Sequence, residues 1–213
     1  SGERSLCGIT TRSETTEDGR NNMKNTTHVI ISNRHIHLNR EACDILFGKG
    51  YELTVKRPMA PPIFAANETV TLKGPKGEIS GVRVLGPLRS YTQVEILRAD
   101  NFVLGIEAPV RISGSKDLAP LTVIGPCGRI DFDSVAMVAL RHIHFTPEQA
   151  AEYGLQKDQM VQVKVSGERQ LIFGDVQVVF TDGMEEPMMH VDVEEANAAC
   201  IHPMDIVEIL PQE

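Results

Sequence analysis

The chain contains no tryptophan, and aromatic residues make up only 5% of it. It therefore lacks the stacked rings on which single-stranded nucleic acid is usually held. Positive charge is also short, with 21 Lys and Arg against 29 Asp and Glu, a formal net charge of −8. That balance argues against binding a phosphate backbone, so no nucleic-acid partner is expected. A few arginines lining one pocket can still hold a small anionic substrate. The four cysteines, Cys7, Cys43, Cys127 and Cys200, form no CxxC pair and no close cluster. This argues against a zinc ribbon or a disulfide scaffold and for a reduced, intracellular chain. No apolar run reaches the length of a membrane span, and no charged stretch introduces a secretory signal. The expectation is a cytoplasmic protein with no membrane partner.

What is present is an ordinary globular composition, 41% hydrophobic over 213 residues, enough for one large domain or two small ones. Residues 1–27 are polar and without an apolar period, and read as a disordered tail. After them strand signals dominate. Val70–Lys73 and Val82–Leu85 flank the turn phrase Gly74-Pro75-Lys76-Gly77, and Leu121–Ile124 and Arg129–Phe132 flank Gly125-Pro126-Cys127-Gly128. Further strands are expected over 93–98, 109–113, 135–140, 160–165, 171–180, 188–193 and 205–210. Many short strands with few helices suggest β-barrels or sandwiches.

The most informative feature is a repeat. Arg34-His35-Ile36-His37 returns 107 positions later as Arg141-His142-Ile143-His144, using four of the seven histidines. Each copy leads into a short helix. Thr146-Pro147-Glu148-Gln149 is a capping box with proline in the first turn, opening a helix through Glu152 that Gly154 closes. Asn39 caps its counterpart, which runs through Cys43 to Phe47 and ends at Gly48. A third helix is expected over Glu194–Ala199. The pattern strand, RHIH, cap, short helix, glycine, strand is written twice and implies an internal duplication.

In an extended segment His35 and His37 share one face and Ile36 takes the other, and His142 and His144 do the same around Ile143. Two imidazoles at i and i+2 can converge on one metal ion. The alternative is a duplicated structural corner whose histidines are only hydrogen-bonded. A catalytic zinc needs a third protein ligand. Glu95, in Thr92-Gln93-Val94-Glu95-Ile96, and His190, in Met189-His190-Val191-Asp192, are candidates; each is otherwise a solvated strand residue. Glu41 and Glu148 fall in the first turn of a helix, where the macrodipole accounts for them. Arg89, after the Gly86-Pro87 turn, offers a planar fork for a phosphate or carboxylate, or else is an ordinary surface arginine. Arg34 and Arg141 should point away from the histidines and serve structural pairing. Cys127 reads as a turn residue.

Taken together, Ser32-Asn33-Arg34-His35-Ile36-His37-Leu38, the stretch GPLRSYTQVEI at 86–96, Arg141–His144, and Met189–Asp192 through Glu195-Ala196-Asn197-Ala198 resemble the PduL-type phosphate acyltransferases. These are the phosphate propanoyltransferases of bacterial microcompartments. The resemblance spans about residues 28–210. It implies a mainly β fold of two β-barrels with interleaved segments and short α-helices, one barrel from 28–33 plus 142–213 and the other from 34–141. It also implies acyl transfer from coenzyme A to inorganic phosphate at two Zn2+ ions. His35, His37 and Glu95 would hold one ion and His142, His144 and His190 the other, with Arg89 on phosphate. The implied partners are acyl-CoA, phosphate, a second copy in a homodimer, and microcompartment shell or cargo proteins. Residues 1–27 show no apolar stripe of the kind that directs encapsulation, so a free cytoplasmic enzyme is the other expectation.

Three rival readings remain at this point. His35-x-His37-x3-Glu41 and His142-x-His144-x3-Glu148 match a duplicated cupin's ligand spacing, as in a metal-dependent oxygenase. A zinc-dependent thioester hydrolase would use the same histidines to activate water. A non-catalytic module would keep the metals for structure alone.

Overall fold

The structure is a computed structural model that describes residues 24–59 and 61–211. Of the expected tail, residues 1–23 lie outside the described residues. Residues 24–27 are ordered: the first strand, β1 (Thr26–Ser32), opens two residues inside that expected tail. Its polar start is held by pairing with other strands, which a local apolar signal does not register. Thr27 Oγ1 donates to the Pro187 carbonyl, and Asn25 O accepts from the Ile209 amide.

After β1 come β2 (His35–His37), α1 (Arg40–Phe47), β3 (Val55–Pro58), β4 (Phe64–Lys73), β5 (Glu78–Gly86), β6 (Gln93–Ile96) and α2 (Asp100–Leu104). Then follow β7 (Val110–Arg111), β8 (Ala119–Ile124), β9 (Arg129–Ala139), β10 (His142–Phe145), α3 (Pro147–Glu152) and β11 (Met160–Val165). The chain ends with β12 (Leu171–Phe180), β13 (Met188–Asp192), α4 (Val193–Ala199) and β14 (Ile206–Ile209). The fold is mainly β, and no helix among the described residues is long and apolar enough to cross a membrane.

Most expected elements form where local chemistry places them. Asn39 caps α1 through Ala42, Thr146 and Gln149 make the reciprocal capping box of α3, and Glu41 and Glu148 lie in the first turns. The two strands expected over 129–132 and 135–140 are one strand, β9. Its first part pairs antiparallel with β8, and its second part continues into parallel pairing with β6. α2 was not expected. No side chain caps its start, and tertiary contacts support it instead: the Leu104 carbonyl at its end accepts from the Lys76 amide. That bond comes from the Gly74–Gly77 turn, where a Cβ on Gly74 would lie 2.2 Å from the same carbonyl oxygen. The second turn repeats the device at the other helix. Cys127 N donates to Leu46 O, and a Cβ on Gly125 would meet that oxygen at 2.4 Å. Each glycine-proline turn thus ties a hairpin to a helix end whose carbonyls would otherwise lack partners.

Two six-stranded barrels result. One closes in the order β1-β13-β10-β12-β11-β14. The other closes through β4-β5-β2-β6-β9 and back to β4 through β8, with β3 and β7 attached outside the ring. Each has its own core. Val84, Val94, Leu72 and Val123 fill one; Val161, Val163, Val178 and Met189 fill the other, together with Val29 from the far end of the chain.

The barrels match strand for strand. β2 lies between parallel β5 and antiparallel β6, and β10 lies between parallel β12 and antiparallel β13. β9 pairs parallel with β6, and β1 pairs parallel with β13. The first strand of each repeat has therefore been exchanged. β1 precedes the first HIH yet completes the barrel of the second, and β9 does the converse. The chain passes between barrels twice, through Asn33-Arg34 and Leu140-Arg141, each time immediately before an HIH strand.

Candidate active site and metal centres

The two crossings explain why the repeated histidines face each other. In β2 and β10 alternation buries Ile36 and Ile143 completely in the two cores. It leaves the histidine pairs on the opposite face, outside both apolar cores. Within each pair the rings are nearly perpendicular, at 87° in both, with centroids 4.9 Å apart for His35–His37 and 4.7 Å for His142–His144. One local geometry has been built twice.

Strand register supplies the third member. His35 lies directly opposite Glu95 across the β2–β6 pair, and His142 lies directly opposite His190 across the β10–β13 pair. The donor atoms of His35, His37 and Glu95 fall within 4.8 Å of one another, and so do those of His142, His144 and His190. Glu95 and His190 thus occupy the same position of the duplicated unit. The two groups are neighbours: the field of His35 reaches His190, and that of Glu95 reaches His142.

The protonation chemistry suits metal ligation. His35 Nδ1 lies 2.8 Å from the Asn33 carbonyl and His142 Nδ1 lies 2.7 Å from the Leu140 carbonyl, both in the crossings. A carbonyl only accepts, so each Nδ1 carries the hydrogen and each Nε2 presents a lone pair. His144 Nδ1 lies 2.6 Å from Thr181 Oγ1, and His142 Nε2 and His144 Nε2 stand 3.1 Å apart. With Thr181 accepting, two lone pairs converge on one point, an arrangement that a cation stabilises. Burial favours the neutral form of His37, His142, His144 and His190, the form that binds metal. It pushes His144 down to about 4 and His37 down to about 2, the latter helped by His35 and by the cation of Arg89. His142 is lowered and His190 held well below its ordinary range, again chiefly by burial. The donor sets, three imidazoles in one group and two imidazoles with a carboxylate in the other, fit zinc.

Arg89 stands beside the first group. Its backbone amide donates to the Leu38 carbonyl just after β2, at 2.8 Å. Its guanidinium reaches Tyr91 Oη and Ser113 Oγ, each at 3.3 Å. Arg34 and Arg141 turn to structural pairing. Arg34 makes a bidentate pair with buried Asp100 at 2.8 and 2.9 Å, and Arg141 meets Glu195 at 3.4 Å.

The family model described as "Phosphate propanoyltransferase" matches residues 28–202. The phosphate propanoyltransferase of Rhodopseudomonas palustris (strain BisB18) is 51% identical over 183 residues, covering 85% of this chain and 80% of the relative. That of Thermotoga maritima is 48% identical over 185 residues, covering 85% and 88%. The chain belongs to the phosphate propanoyltransferase family. A third relative of the same name, from Citrobacter freundii, is 46% identical over 171 residues, covering 79% and 81%. The protein is accordingly an acyltransferase that uses phosphate.

This membership displaces the cupin reading, and the geometry agrees. Glu41 and Glu148 are exposed in the first turns of α1 and α3, away from the histidine groups that Glu95 and His190 complete. Several residues around the site were missed from the sequence. Asp100, Ser113 and Thr181 come from separate loops and a helix start, where nothing local marks them, and Tyr91 lies inside the 86–96 stretch without having been singled out. Gln93 was within reach of the reasoning: it lies two residues before Glu95 in the same strand and so shares its face.

Proposed function

We propose that the protein transfers a short-chain acyl group reversibly between coenzyme A and inorganic phosphate at a site holding two zinc ions. His35, His37 and Glu95 hold one ion; His142, His144 and His190 hold the other; Arg89 engages phosphate. The observation that carries this reading is the pair of three-donor groups at equivalent register positions, side by side where the barrels meet. The two barrels serve as two domains, one from 28–33 plus 142–213 and one from 34–141.

When bound, zinc supplies Lewis acidity toward oxygen and, being borderline-soft, a partner for thiolate sulfur. In the reaction a phosphate oxygen attacks the thioester carbonyl carbon, the C–O bond forms and the C–S bond breaks. The departing sulfur keeps the electron pair and ends with the proton that phosphate gives up. Arg89 lies half-buried beside His37, where its planar fork can neutralise phosphate and align it for attack. Tyr91 and Ser113 hold that guanidinium from one side. Phosphate is already anionic at neutral pH, so no separate general base is needed.

Release of free thiol from a series of short acyl-CoAs, with and without phosphate, before and after chelation, tests the reading. The expected result is release that depends on phosphate, disappears on chelation and returns with zinc. Equal release without phosphate would make the protein a thioester hydrolase. Unchanged activity in metal-stripped protein would overturn the two-zinc site.

A further inference from the structure

Gln93 is 1% exposed, a primary amide enclosed in strand β6. Burial of such a group is costly unless its hydrogen bonds are met, and here they are met in a directed way. The Gly114 amide approaches at 2.8 Å and can only donate, so the side-chain oxygen of Gln93 must face it. The NH2 group then points the other way. One hydrogen goes to Glu95 Oε1 at 2.9 Å and the other to Ser113 Oγ at 3.0 Å.

Each of these bonds has a consequence. With Oε1 occupied by Gln93, the Glu95 carboxylate turns its second oxygen, Oε2, toward His35 Nε2, 3.4 Å away. At the other end, Ser113 Oγ also receives Arg89 at 3.3 Å and lies 3.4 Å from Tyr91 Oη. A single amide therefore links the carboxylate of the first donor group to the guanidinium beside it. At the equivalent place of the duplicated unit, two residues before His190, stands Met188, which has no hydrogen to give. This device belongs to one half only.

We propose that Gln93 is a positioning residue. It makes Glu95 a one-oxygen ligand that offers Oε2, and through Ser113 it holds the Arg89 fork in register with that ligand. Gln93 itself touches no reacting atom. The proposal rests on the two-zinc, phosphate-binding reading above and assigns a role that reading does not need.

The test compares the intact protein with Gln93→Met, the residue the duplicate carries, and with Ser113→Ala on an exposed serine. Two quantities are measured: zinc per chain after dialysis against graded chelator, and KM for phosphate against kcat. For Gln93→Met, one of two zinc equivalents is expected to be lost at about tenfold lower chelator, the usual scale for a residue that orients a ligand. KM for phosphate should rise by a similar factor of about ten, with KM for acyl-CoA little changed. Ser113→Ala is expected to raise KM for phosphate while both zincs stay as tightly held as in wild type. A Gln93→Met protein that keeps both zincs and its phosphate KM overturns the proposal, whatever its melting temperature. If that variant does not fold, an unchanged phosphate KM in Ser113→Ala overturns the link to Arg89. A wild-type chain that binds no zinc overturns the metal reading and the Glu95 link together.

Discussion

The two donor groups share a fold, a register and a ring geometry, but their surroundings differ. Around His35, His37 and Glu95 gather Arg89, Tyr91, Gln93 and Ser113, a polar set with one cation, tied together by hydrogen bonds. Around His142, His144 and His190 the strand register puts Met188 in place of Gln93, and Thr181, whose amide meets the Phe145 carbonyl as that of Arg89 meets the Leu38 carbonyl, supports one ring. Duplication preserved the three-donor geometry. Divergence placed charge handling on one side and an all-imidazole, partly apolar setting on the other. The difference fits a division of labour in which phosphate is held near the first group and the second faces the thioester.

The contrast can be broken most directly at Arg89. Arg89→Ala is expected to lower kcat/KM for phosphate about a hundredfold or more, the scale for losing one charge-stabilising group at a reacting centre. Met184→Ala, in the corresponding loop between β12 and β13, should leave it unchanged. Steady-state thiol release at varied phosphate measures both, and equal losses would mean the halves share phosphate binding.

A smaller effect separates the two arginines of the crossings. Arg34 is held by both oxygens of Asp100, a side chain only 4% exposed, which also caps the Leu97 amide. Arg141 meets Glu195 at 3.4 Å, because the other Glu195 oxygen serves the capping box of α4. Burial also raises the Glu195 carboxyl above its ordinary range. Asp100→Ala is expected to cost about 2 kcal/mol in denaturant unfolding, since it leaves the buried Leu97 amide without its acceptor and removes the bidentate partner of Arg34. Glu195→Gln should cost less than about 1 kcal/mol, since it keeps the cap and loses a weak pair.

The smallest contrast lies in acid sensitivity. His142, His144 and His190 are depressed in the second group, and His37 is the depressed member of the first. Each stays neutral in the fold but takes up a proton when unfolded, below its ordinary value of 6.5. The unfolded chain therefore binds more protons, and stability must fall as pH drops below about 6.5 toward the folded values, about 4 for His144 and about 2 for His37. In metal-free protein, replacing His142, His144 and His190 with Gln should flatten the pH dependence of unfolding more than His37→Gln does.

Much of this was legible in the sequence because it is local. The RHIH copies, the Asn39 and Thr146 caps and the two glycine-proline turns are each decided within a few residues, and each stands where local chemistry put it. Glu95 and His190 came into view through strand alternation together with the family resemblance. What makes them partners is register across antiparallel strands 60 and 48 residues from their histidines (35 to 95, 142 to 190). Such pairing leaves no local trace. The same holds for α2, which has no cap of its own, and for Ser113 and Thr181, which act from loops. Gln93 was missed for another reason: a glutamine in a strand reads as a solvated residue until its burial is known.

The exchange of β1 and β9 has a mechanical consequence. The barrels are pinned together at two points rather than strung on one flexible linker, and each pin is only two residues long. His35 and His142 hang directly from the pins, bonded to the carbonyls of Asn33 and Leu140. A body held at two points can swing only about the line that joins them, and that line runs beside the first histidine of each donor group. Prising the barrels apart would therefore move the donors near the pins least of all, and the separation of the two centres is set by the covalent chain.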